Sequence, residues 1–176
     1  MPTEQEKLIQ ALKYAIKMEE DGKTFYLNAC GDSSNDLGKK LLESLAKQED
    51  YHRTRFEQIY ESIRKQRGWP QVDFKVDGGR TLRTIFARHT ESGKACAPGN
   101  ESELAVVQQA MRMEADSYDF YHGRAEQAES SAEREFYEEI AAEEREHQLV
   151  MTDYYEFLKN PAAWFVKTEK PSLDGG

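Results

Sequence analysis

The sequence predicts an all-α four-helix bundle made of two pseudo-symmetric helical hairpins joined by a long crossover. Three observations carry this prediction. Four long stretches each show one apolar stripe at a 3.6-residue period. Only 11 Gly and 5 Pro occur in 176 residues, which suits long helices better than a sandwich or barrel. A shift of 95 residues lays the first pair of stretches on the second without a gap: Ala15, Glu19, Phe25 and Tyr26 fall on Ala110, Glu114, Phe120 and Tyr121, and Glu49 and His52 fall on Glu144 and His147.

The first helix is predicted over 3–30, with the stripe Leu8, Leu12, Ala15, Glu19, Gly22, Tyr26 and Ala29. Thr3 and Glu6 form a capping-box pattern at its start, and Gly31 is the expected stop. The second covers 36–66, with Leu41, Leu45, Glu49, His52, Phe56, Ile59 and Ile63 in line. The third starts at Asn100, a good N-cap with Glu103 three residues on, and runs to about 128 through Val107, Met111, Glu114, Tyr118, Tyr121 and Ala125. Asn100-Glu101-Ser102 also reads as a glycosylation sequon, but capping explains the Asn. The fourth covers 131–159, capped by Ser130 and Glu133 and followed by Pro161, with Tyr137, Ile140, Glu144, His147, Met151, Tyr154 and Leu158 as its stripe.

Short links join helices one and two, and three and four, so each pair is an antiparallel hairpin. The link over 67–99 is long enough to run the length of the bundle, and "RTLRTIFARH" within it reads as a short helix. Residues 1–160 are thus expected to form one bundle. Residues 161–176 are expected to be an irregular tail anchored on the bundle, or on a second subunit, by Trp164 and Phe165.

Charge and composition exclude several roles. A net charge of -9 is the wrong sign for wrapping nucleic acid or docking on an anionic membrane. No apolar run approaches the roughly 18 residues of a membrane span. The start "MPTEQEKLIQ" lacks a secretory pattern, so the cytoplasm is the expected compartment. Cys30 and Cys96 form no CxxC pair, which argues against a disulfide framework or a thiolate-held metal.

The chemistry lies in residues that break the stripes. Glu19, Glu49, Glu114 and Glu144 each sit among apolar positions. Four uncompensated carboxylates in one core would cost several kcal/mol each, and Lys and Arg fall mostly off these faces. Residues three apart share a helix face, so Glu49 reaches the same region as His52, and Glu144 the same region as His147. Two divalent cations would balance the four carboxylates. Hard carboxylates with some imidazole favour iron or manganese. One Glu from each of two helices with a Glu-x-x-His from each of the other two is a recognised dinuclear pattern of helix bundles. Tyr26 and Tyr121, two turns beyond Glu19 and Glu114, read either as hydrogen-bonding or redox-active neighbours of the ligands or as core tyrosines. His89 and His122 read as surface or crossover residues. Glu20, Glu143 and Glu146 point off the stripes and read as a solvated face.

With these residues the sequence resembles the rubrerythrin-like branch of the ferritin-like superfamily. The matching pieces are "MEEDGKTFY", "MEADSYDFY", the two Glu-x-x-His pairs and the ending "SLDGG". The resemblance implies a ferritin-like bundle holding two iron ions, with manganese or zinc as substitutes. By the same resemblance Glu19 and His52 serve one ion, Glu114 and His147 the other, and Glu49 and Glu144 bridge. Two departures stand out. The two Cys cannot build the four-Cys rubredoxin-like domain that rubrerythrins usually carry. Ser117 stands three residues after Glu114, where rubrerythrin has a further carboxylate, so the six-ligand set is closer to the ferroxidase centre of bacterioferritins.

The resemblance implies a non-haem di-iron oxidoreductase reducing hydrogen peroxide or dioxygen. It would use an external electron donor such as a rubredoxin-like protein, and it would pair as a homodimer. A ferroxidase for iron storage or delivery and a non-enzymatic helical metal-binding module are the alternatives.

Overall fold

The computed structural model describes residues 3–92, 98–162 and 164. Its helices are α1 (Glu4–Asp32), α2 (Asp36–Arg64), α3 (Arg80–Glu91), α4 (Glu101–Gln127) and α5 (Ser131–Lys159), and no strand occurs among the described residues. The chain is all-α. The four long helices are each about 40 Å long. α1 packs along α2 and α4 along α5, while α3 lies on α2 and α5.

The helix starts follow their capping chemistry. Thr3 and Asn100 each complete a reciprocal capping box, with Glu6 and Glu103 respectively. Asn35 accepts from Leu37 and Gly38, and Ser130 accepts from Glu133. Asn100 therefore spends its side chain on the helix start. Gly31 does not stop α1. It stays helical, and the chain turns out at Ser33, whose N–H still bonds Ala29 O at 3.0 Å.

After α2 the chain reverses through Gln66 and Gly68, at φ 55° and 72°. Gly68 takes this left-handed conformation without a Cβ penalty, and its carbonyl accepts from Ser62 Oγ at 2.9 Å. The turn folds Trp69 back onto Phe136 and Tyr137 of α5. The crossover continues to α3, which buries Leu82 and Phe86. The few described residues beyond α5 differ from the irregular course expected there. Pro161, Ala162 and Trp164 are helical, and Trp164 N–H bonds Asn160 O at 3.0 Å. Proline fits there because the first turn of a helix needs no N–H at that position. Trp164 packs on Phe86 and Phe157. Phe165, the "SLDGG" ending and Cys96 lie outside the described residues, and Cys30 is a half-buried free thiol.

The core forms two apolar clusters. One holds Tyr26, Leu41, Leu45, Val107, Val150 and Met151; the other holds Leu12, Ala15, Phe56, Tyr121, Tyr137 and Ile140. On every long helix a polar residue sits between the two: Glu19, Glu49 with His52, Glu114, and Glu144 with His147. The polar layer crosses the bundle at one height. No described helix is long and apolar enough to cross a membrane.

Leu45 is fully buried beside that layer. Leu45→Ala is expected to cost about 2–5 kcal/mol, read as a lowered denaturation midpoint of the metal-free protein. A change under half of that would show that the core here relaxes around the lost side chain.

Candidate metal centre

All six stripe-breaking residues meet in one buried layer. Glu19, Glu49, His52, Glu114, Glu144 and His147 are each between 0% and 5% exposed. Their ligand atoms form two overlapping groups, each with all atoms within 4.8 Å of one another. One is Glu19, Glu49, His52 and Glu144, and the other is Glu49, Glu114, Glu144 and His147. Glu49 and Glu144 belong to both. His52 Nδ1 lies 3.1 Å from Glu144 and 3.5 Å from Glu19, and His147 Nδ1 lies 3.4 Å from Glu114 and 3.5 Å from Glu144. The two imidazoles face each other, nearly parallel, with centroids 5.8 Å apart.

The inner and outer atoms of these side chains are treated differently. Glu19 Oε2, Glu49 Oε1, His52 Nδ1, both oxygens of Glu144 and His147 Nδ1 point inward with no hydrogen-bond partner. The outward atoms are tied. Tyr26 donates to Glu114 Oε1, and Tyr121 donates to Glu19 Oε1. Each tyrosine holds the carboxylate of the opposite hairpin, so the pair laces the two hairpins together. His147 Nε2–H donates to Gln48 Oε1 at 3.0 Å, which turns Nδ1 toward the cluster. Buried polar atoms without partners are costly. Six of them converging from carboxylates and imidazoles are a donor set for divalent cations, so the residues present fit a dinuclear metal site.

The electrostatics of the protein part agree. Burial, then the charges of Glu19, Glu144 and Glu114, push Glu49 well above the ordinary carboxylate range. Burial raises Glu114 to about 8, against the opposing charge of His147. Burial works to lower His52, but contacts with Glu144 and Glu19 outweigh it and raise the imidazole to about 10. Burial would raise Glu144 as well, yet its contacts with His147 and His52 hold it below the usual range. Burial and the adjoining carboxylates keep Tyr26 and Tyr121 far above the ordinary phenol, so both remain hydrogen-bond donors.

Three supporting residues were not legible as such in the sequence. Gln48 fixes His147. Gly22 leaves room for Glu49, since a Cβ there would sit 2.8 Å from Glu49 Oε2. Glu143, which the periodicity put on a solvated face, is 2% exposed and accepts Gly78 N–H at 2.7 Å. The crossover covers it, which no helical periodicity reports. Glu146 likewise pairs with Arg83 of α3, whereas Glu20 stays about half exposed beside Arg53. The 95-residue shift does carry a signal for two of these, because it sets Gln48 on Glu143. His89 and His122 lie outside the cluster.

A pocket of about 250 Å³, lined by Gln48, Tyr51, His52, Lys75 and Glu143, reaches the His52 side of the layer. Larger grooves of about 740 and 670 Å³ lie elsewhere on the bundle and touch none of the six residues.

A four-helix bundle with a buried carboxylate and histidine layer able to hold metal defines the ferritin-like class. Within that class the affiliation is specific. The family model Rubrerythrin matches residues 10–155, and the chain belongs to the rubrerythrin family. No curated protein and no solved structure gives a significant match.

Two outcomes are expected. Gly22→Ala, by crowding Glu49, should leave the fold intact and weaken metal binding by about 10–100-fold, measured by competition with a chelator. An unchanged affinity would mean that Glu49 is not a ligand. Metal must also displace the protons that Glu49, Glu114 and His52 hold. Loading the metal-free protein near neutral pH should therefore release protons into a weak buffer. Apparent affinity should rise with pH and fall with acid. Proton-neutral binding would place the metal elsewhere.

Proposed function

We propose that this chain is a non-haem di-iron oxidoreductase that reduces hydrogen peroxide or dioxygen. The observation that carries the reading is the set of six inward, unpartnered donor atoms in a rubrerythrin-family bundle. Glu19 and His52 would hold one iron, Glu114 and His147 the other, and Glu49 and Glu144 would touch both, in keeping with the two overlapping groups. Two ferrous ions held there supply the two electrons that convert a peroxide, with two protons, to two waters.

The chain's own residues account for the rest. Tyr26 and Tyr121 hold Glu114 and Glu19 in place and keep a proton at each phenol oxygen beside the cluster. Gln48 fixes the orientation of the His147 ring. Burial of the six side chains excludes bulk water and bulky substrates, which favours an oxidant of a few atoms arriving through the small pocket at His52. Partners on this reading are that oxidant, an external electron donor such as a rubredoxin-like protein, and a second copy of the chain. Nucleic acid and membrane are not partners, and the cytoplasm is the compartment.

A ferroxidase role in iron storage or delivery is the second reading. Ser117, half-buried three residues after Glu114, favours it, because it leaves the ligand set at six. The third reading, a non-enzymatic helical metal-binding module, requires a metal that does not change oxidation state.

Metal analysis after anaerobic purification is expected to find about two irons per chain. Stopped-flow oxidation of the ferrous protein should run faster with peroxide than with dioxygen. Equal or slower oxidation by peroxide would remove the peroxidase version. A shell holding far more iron than the site can would favour storage, and redox-inert metal would favour the binding module.

A further inference from the structure

The two tyrosines at the cluster are equivalent by the 95-residue shift, yet their surroundings are not. Tyr121 lies in a continuous run of aromatic rings. Its ring is stacked on Phe56 at 5.3 Å and on Tyr137 at 6.2 Å. Tyr137 meets Trp69 at 5.7 Å, and Phe136 packs against both of them. Trp69 is only partly buried and opens on a surface groove of about 540 Å³. Rings in contact therefore reach from Glu19 to the surface.

The other half is built differently at the positions equivalent to this run. The positions equivalent to Phe136, Tyr137 and Phe56 are Leu41, Leu42 and Met151, all buried. Tyr26 packs on Phe25 in a cluster that mixes aliphatic side chains with Phe86, Tyr154 and Phe157. The residue equivalent to Trp69 is Trp164, which packs in that same cluster on Phe86 and Phe157. Packing alone is satisfied by either solution, since both cores are filled. The difference that matters is that the Tyr121 half joins Tyr121, Tyr137 and Trp69 in series.

We propose that Trp69, Tyr137 and Tyr121 form a single-electron conduit between the protein surface and the Glu19 side of the cluster. Tunnelling falls off exponentially with distance, so rings in contact carry a charge that one long jump through aliphatic core would not. The ends and the middle have different roles. Tyr121 donates its hydroxyl to Glu19, so its phenolic proton can pass to a carboxylate as an electron leaves. The Tyr137 hydroxyl is buried with no acceptor and burial pushes its pKa up to about 12, so its ring bridges without losing a proton. Trp69 needs no buried acceptor, because an indole can lose an electron first.

In the working direction a peroxide-derived one-electron oxidant at the cluster would take an electron from Tyr121, whose proton passes to Glu19. An external one-electron donor at the groove then reduces the Tyr121 phenoxyl through Trp69 and Tyr137, and Glu19 returns the proton. Two such passes return two electrons to the cluster. This purpose rests on the redox reading above, while the conduit itself is testable without metal.

The test is pulse radiolysis of the metal-free protein with azide, in the W164F background so that Trp69 is the sole tryptophan. The azidyl radical takes one electron from Trp69 and becomes azide. Tyr121 then returns an electron to Trp69 and passes its proton to Glu19. The tryptophanyl signal should decay as a tyrosyl signal rises, at a rate independent of protein concentration. Y121F, and Y137L by removing the bridging ring, should each slow that step by about tenfold or more. Y137F, which keeps the ring, and Y26F, outside the run, should leave it unchanged. A concentration-dependent decay, or one that Y121F leaves unchanged, overturns the conduit. A slowing by Y26F equal to that by Y121F does so as well. Failure here leaves the metal reading standing. A protein without redox-active metal would remove that reading and leave this measurement standing.

Discussion

Four carboxylates buried in one layer of a helix bundle are the constraint on which the rest of the structure depends. In a low-dielectric core each would strongly disfavour its own charge and that of its neighbours. The chain answers this from two directions. Two histidines from α2 and α5 turn Nδ1 toward the oxygens. Two tyrosines reach across from the facing hairpins and satisfy the outer oxygen of one carboxylate each. The inner oxygens and nitrogens form a cluster that could hold cations. The apolar clusters above and below this layer keep water out and hold its four helices in register.

The tyrosine ties also explain how two hairpins make one site. Within each hairpin, a three-residue link and a long apolar seam bring the helices together. Between hairpins the Cα positions of α1 and α4 are close at few points. The cross-bonds of Tyr26 to Glu114 and Tyr121 to Glu19 join the halves at the level of the cluster, so the geometry of the buried carboxylates and the pairing of the hairpins are one and the same feature.

The pseudo-twofold symmetry is kept in the donors and broken around them. Gly22 gives Glu49 room, while the equivalent Ser117 carries a side chain. Gln48 accepts from His147, while the equivalent Glu143 is taken by the backbone of the crossover at Gly78. Aromatic rings fill the core beside Tyr121, and mostly aliphatic side chains fill it beside Tyr26. The two halves of the cluster therefore see different packing, different hydrogen bonding and different access, with the small pocket opening at His52.

The sequence by itself determined the four long helices, their caps, the family resemblance and all six residues of the buried layer. It could do so because a helix face is a local property: polar residues recurring inside an apolar stripe, twice at one offset, announce a shared interior position whatever the loops do. Gly31 misled at the local level, since a glycine stops a helix only where the chain takes up the left-handed turn it permits. What only the tertiary structure decided depends on elements distant in the chain. Tyr26 and Tyr121 serve the opposite hairpin because the helices pack face to face. Glu143 is buried because the crossover, which has no helical period along residues 66–79, returns across α5. Trp69 completes an aromatic run only because the turn at Gly68 folds it back onto Phe136 and Tyr137. Periodicity tells which side of a helix faces inward; only the packed chain tells which partner it finds there.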